Sequence, residues 1–277
     1  MSRLPRRALI LVSALTLVMT LPVTVSANHS WGGYHWARTA NPFTLKLGDN
    51  VSSVWDPILV TTSSDWSAST VLDTTIVNGG SRSVKLCDAT TGQVQVCNSR
   101  YGSNGWLGVA SIWASGSHIT KATVKLNDTY FSTAYYNTGP WRNLVSCQEV
   151  GHTFGLAHQD ENFSNANLET CMDYTNDPTT NQHPNAGDYD ELLCIYDPTS
   201  AGKTLSTLTH SCVGTGHLDS TTTVASTPAI APAAAGAPAA DAAWGRLVQV
   251  TNHGHGAWYM RDLGAGDVIL THVFWAD

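Results

Sequence analysis

All six cysteines of this 277-residue chain fall between Cys87 and Cys212, and no other feature limits its folds as much. In an exported chain six cysteines read as three disulfides. Fifteen pairings are possible. The sequential one, Cys87–Cys97, Cys147–Cys171 and Cys194–Cys212, is favoured. Free or metal-bound thiols are the alternative, and no C-x-x-C pair supports them.

Export itself is expected from the first 27 residues. Arg3, Arg6 and Arg7 form a basic start, Ala8 to Leu21 is an apolar run broken by Pro22, and Val25-Ser26-Ala27 supplies the small residues that a signal peptidase reads. A membrane anchor is the competing reading, but the run falls short of the ~20 residues a spanning helix needs. Cleavage would remove three of the 14 basic residues and leave all 21 acidic ones, a net charge near −10. No basic cluster remains, which argues against nucleic acid or an anionic membrane surface as partner.

Hydrophobic residues make up 42% of the chain, enough for a real core. Phe43 to Leu47, Val71 to Val77, Trp106 to Trp113 and His118 to Leu126 alternate as strands. Val84 to Val96 resembles a hairpin turned at Thr91-Gly92, and Val51 to Val60 reads as a helix interrupted by Pro57. Helix patterns run from Trp141 to Phe154 and from Gly187 to Tyr196. Strands followed by helices argue for an α+β domain over residues 28–214. Residues 215–243 form a linker, almost all Ala, Pro, Thr and Ser from Ser220 onward. Alternation returns at Leu247 to Val250 and Val268 to Leu270, so residues 244–277 read as a small β-rich segment. Chains under ~40 residues seldom fold alone without disulfides, metal or a partner, so this one is expected to dock on something.

The stretch that carries chemistry is Gln148-Glu149-Val150-Gly151-His152-Thr153-Phe154-Gly155-Leu156-Ala157-His158. On a helix, positions four apart share a face, so Gln148 and His152 point the same way with Glu149 beside them. Gly155 permits a sharp exit that returns His158 toward the same point. Three side chains can then converge on one ion beside a carboxylate.

The pattern resembles the metzincin zinc peptidases, whose signature is H-E-x-x-H-x-x-G-x-x-H followed by a methionine turn. Glu149, His152, Gly155 and His158 match it, and Cys171-Met172-Asp173-Tyr174 looks like the turn in the M-x-Y form of astacin-like and serralysin-like members. The departure is Gln148, where the family has its first histidine. The resemblance implies a twisted mixed sheet, an active-site helix and a C-terminal helical subdomain, with residues 105–113 as the edge strand that holds extended substrates. It implies one catalytic Zn2+ held by Gln148, His152 and His158, with Met172 packed beneath without ligating it. Glu149 would activate the zinc-bound water, and Tyr174 would either bond the developing oxyanion or simply support the turn. Structural Ca2+ sites are not legible in the pattern.

The expected protein is thus a secreted, monomeric zinc endopeptidase acting on extracellular proteins or peptides. The alternative is an inactive metzincin-like fold that binds or inhibits a partner, because a carboxamide is a weaker zinc donor than imidazole. Asp160 reads as a surface carboxylate or a spare ligand, and His253-Gly254-His255 as a polar turn. Neither His29 nor His272, among the other histidines, has a ligand spacing. The stretch between Ala27 and the first strand is too short for an inhibitory prosegment, so any latency would have to come from elsewhere.

Overall fold

The structure is a computed structural model that describes residues 29–163, 165–196, 243–251 and 254–276. It is a mixed α+β fold with one large mixed sheet and few helices. The strands are β1 (His35–Trp36), β2 (Phe43–Asn50), β3 (Leu72–Asn78), β4 (Gln93–Ser99), β5 (Trp106–Ser115), β6 (His118–Asn127), β7 (Arg246–Val250), β8 (Gly256–Gly264) and β9 (Asp267–Trp275). The helices are α1 (Asp56–Trp66), α2 (Asp128–Phe131), α3 (Gly139–His152) and α4 (Ala186–Tyr196).

The sheet runs β3-β2-β4-β6-β5-β9-β8-β7, with β1 beside one end of β6. β3, β2, β4 and β6 are mutually parallel, so each needs a crossover. Between β2 and β3 that crossover is α1, and Pro57 sits in its first turn, where no backbone N–H is required. Proline therefore starts this helix rather than interrupting it. β5 is antiparallel to β6, and β9 is antiparallel to β5 along the whole of Trp106 to Ser115. The tail segment thus continues the sheet of the main body. Its β8–β9 turn at Ala265-Gly266 has both residues at positive φ, as a tight hairpin with right-handed twist demands.

The anticipated hairpin over Val84 to Val96 does not form. Only Gln93–Ser99 is a strand, and both its edges are taken in parallel by β2 and β6, which leaves no room for an antiparallel partner. Cys87 still bonds to Cys97 across this segment. The third expected disulfide involves Cys212, which lies outside the described residues. No helix among the described residues is long and apolar enough to cross a membrane.

The core explains where α3 sits. Its residues Leu144 to His152 are all buried, packed between α1 and the face of β5 and β6. Thr138 caps its start by accepting from the Trp141 N–H. Trp66 of α1 donates its indole N–H to the Cys147 carbonyl at 3.1 Å. Cys147 is also bonded to Cys171, which ties α3 to the segment carrying Met172.

Closing that loop, with its sequence separation of 24 residues, is worth about 3 kcal/mol in the chain-entropy account. The double variant Cys147→Ala/Cys171→Ala is expected to lose about that much unfolding free energy in urea melts, whereas Cys87→Ala/Cys97→Ala, closing 10 residues, loses less.

Candidate metal and catalytic site

Three segments meet at the end of α3. The helix stops at Thr153, and Gly155 turns the chain at φ +97°. A Cβ there would stand 2.1 Å from the Tyr34 carbonyl oxygen, so only glycine fits. The exit is held from three sides. Trp31 N–H donates to the Gly155 carbonyl, Trp36 Nε1 to that of Thr153, and Tyr196 Oη to that of Phe154. His158 returns to His152 with ring centroids 4.6 Å apart.

The methionine segment lies alongside. Gln159 N–H donates to the Met172 carbonyl, and Tyr174 N–H donates to that of Asp160. Met172 is fully buried beneath α3, where a Cβ added at Gly151 would meet its sulfur at 2.8 Å. Asp188, buried at the start of α4, fastens the whole arrangement. Its carboxylate accepts from Gln159 Nε2, Thr170 Oγ1 and the Asn185 N–H. Asp160 is half-buried and accepts from the Asn162 N–H and Asn165 Nδ2, so it organises its own loop.

The polar atoms of the motif follow one rule. Gln148 donates its Nε2 to the Cys171 carbonyl at 2.8 Å, His152 engages the Leu156 carbonyl through Nδ1 at 2.9 Å, and His158 approaches Glu161 through Nδ1 at 3.5 Å. Each side chain is thereby oriented by one polar atom. The other atom in each case, Gln148 Oε1, His152 Nε2 and His158 Nε2, is buried without a hydrogen-bond partner. Leaving one such atom unsatisfied costs ~1–3 kcal/mol, so three on the helix end and the turn that follows it call for a partner. Holding one ring nitrogen to free the other is how ligating histidines are prepared.

Glu149 is fully buried beside them. Burial pushes its carboxyl up to about 8, although His152 and the Ala110 N–H of β5 pull the other way. Burial, then the neighbouring imidazoles, lower both His152 and His158 well below the ordinary histidine range and keep them neutral, as ligands must be. Tyr174 is raised well above its usual value by burial, so its hydroxyl keeps its proton.

One residue joins the site that its spacing in the chain does not announce. His272 of β9 reaches Glu149 through Nδ1, 3.2 Å from each carboxylate oxygen, and Tyr174 Oη through Nε2 at 3.0 Å. Its ligand atom lies within 4.8 Å of those of His152 and His158. Trp258 of β8 covers the three rings, with centroids 4.9, 5.7 and 4.4 Å from His152, His158 and His272. The only local signal for His272 is the alternation of its strand, which puts it on one face but says nothing of what that face meets. His255 packs on Phe163, which stacks on Tyr174, and is not one of the clustered histidines.

Compared with known proteins, the chain matches no family model and no curated protein.

Gly155→Ala is expected to destabilise the fold by about 2 kcal/mol or more, from left-handed backbone strain and the clash with Tyr34. Urea melts check the magnitude. Tryptophan fluorescence near Trp31 and Trp36 should shift with it.

Proposed function

We propose that the protein is a secreted, zinc-dependent endopeptidase of metzincin-like architecture, with Gln148, His152 and His158 as its metal ligands. The observation that carries this reading is the trio of buried, unpartnered atoms on those three side chains. Two imidazole nitrogens and a carboxamide oxygen form a neutral, borderline donor set that suits zinc better than calcium or magnesium, which favour all-oxygen cages. The disulfides Cys87–Cys97 and Cys147–Cys171 among the described residues suit an oxidising compartment outside the cell.

A divalent ion bound there supplies Lewis acidity toward a carbonyl and lowers the pKa of water. The chain's own groups do the rest. Glu149, raised by burial, takes a proton from water at its carboxylate oxygen and delivers it to the leaving amine. Tyr174 keeps its hydroxyl proton for donation to the developing oxyanion. β5 would align an extended peptide by backbone hydrogen bonds along the edge that β9 takes here, beside Glu149. Glutamine and histidine are both neutral ligands, so the exchange at position 148 weakens metal binding more than it alters the chemistry.

Zinc affinity measured by chelator competition tests the reading. Wild-type protein should take up one zinc. Gln148→His should bind about 10- to 100-fold more tightly, and His158→Ala more weakly by at least that factor. Glu149→Gln should retain zinc and lose all digestion of an unfolded protein. A wild-type chain that takes up no zinc, when Gln148→His alone restores uptake, is instead a binding protein built on this fold.

A further inference from the structure

The site is sealed. Glu149, His152 and His272 have no exposed surface, and Tyr174 has 1%. A peptidase must admit an extended chain to its base and its metal, and this arrangement admits none. Trp31 and Phe163 of the main body wall part of it, and β8 and β9 cover the rest with Trp258, Gly256 and His272.

Three contacts show how that covering piece is seated. β9 pairs with β5 through nine register positions, with His272 opposite Ala110 and Phe274 opposite Gly108, the glycine Glu149 packs against. The imidazole stands between Glu149 and Tyr174, the two groups that would handle the scissile carbonyl. Gly256 then presses its backbone against the Tyr174 hydroxyl, where a Cβ would come within 1.7 Å. The piece carries no cysteine, so no disulfide locks it down. It joins the main body through Ser220 to Ala243, a stretch almost all Ala, Pro, Thr and Ser.

We propose that residues 244–276 are a tethered inhibitor: β9 occupies the strand position of a peptide substrate on β5, and His272 fills the space between the base, the tyrosine and the metal ligands. The inference rests on the peptidase reading above. A tether of this kind holds its segment at high effective concentration, so cutting it weakens docking without altering a single contact. Freed of the tether, a segment of this size has little stability of its own and leaves the site.

The test uses the full chain with a specific protease site placed between Ala225 and Ala239, assayed before and after cutting with zinc content followed throughout. Cutting should raise digestion of an unfolded protein roughly 100-fold, the change that follows from a docked fraction of about 99%. Adding a synthetic peptide of residues 244–277 should reverse it. Backbone amides of β5 from Val109 to Trp113 should lose hydrogen-exchange protection by roughly 10-fold or more, while those of α3 keep theirs. Gly256→Val, which crowds Tyr174 without touching the main body's sequence, should show the same two changes in the uncut chain. That variant decides the matter if the cut pieces remain associated.

Equal digestion before and after cutting, and with Gly256→Val, overturns the inhibitor and leaves the peptidase reading standing. Loss of zinc on cutting also overturns it, and makes His272 a structural ligand. A cut chain that keeps zinc, loses β5 protection and digests nothing overturns the peptidase reading, and the inhibitor with it.

Discussion

Gln148, Glu149 and His152 lie on the last turns of α3, where no residue from Leu144 onward reaches solvent. Placing three polar side chains there removes them from water, and a buried polar atom costs free energy until something bonds to it. The surroundings are built around that constraint. Backbone carbonyls of Cys171 and Leu156 take one atom each from Gln148 and His152, and the Ala110 N–H with His272 meets Glu149. Those partners come from the methionine segment, the helix exit, β5 and β9, so satisfying one helix end brings four separate parts of the chain together. The atoms left over, Gln148 Oε1, His152 Nε2 and His158 Nε2, are the ones the proposed metal would take.

The supports are redundant where the chain has to turn. Gly155 lets the backbone leave α3, but Trp31, Trp36 and Tyr196 then hold that exit from β1, its preceding loop and α4. Asp188 reaches into the loop after His158, the threonine before Cys171 and its own helix start. Its carboxylate stays buried because each oxygen finds donors. The Cys147–Cys171 bond adds a covalent link over the same short distance. Together they hold Gln148, His152 and His158 in fixed positions, which is what the proposed metal site would require.

Much of this was legible before the fold was known, and the limits have physical causes. The spacing from Gln148 to His158 is a property of one helix and one glycine turn, so it can be read locally. Helices α3 and α4 and strands β5 and β6 follow from periodicity within a few residues. The hairpin pattern at Val84 to Val96 misleads because β4 is claimed on both edges by strands distant in sequence. β8 is hard to read because its buried run, Gly256 to Met260, does not alternate and Arg261 to Gly264 are exposed. His272 is not legible in the sequence for a deeper reason. It lies 114 residues after His158, beyond a linker, and joins the site only through the β5–β9 register, which no local pattern encodes. A nine-residue strand can dock in either of two facings, and tertiary packing of Trp258, Leu270 and Phe274 against the core selects the one that points His272 inward.

That facing also explains how such a segment could sit beside Glu149 without being cut. β9 is paired on both edges, with β5 on one side and β8 on the other, so its peptide groups are committed to ladders in both directions. What it offers the base and the tyrosine is a side chain, the His272 imidazole, with no bond in it to hydrolyse. A substrate strand laid on β5 would have one free edge, and its carbonyl could rotate toward Glu149 and Tyr174. The difference between inhibitor and substrate is thus one additional strand. β8 supplies Trp258 as a lid over the histidines and also removes the conformational freedom that a scissile peptide needs.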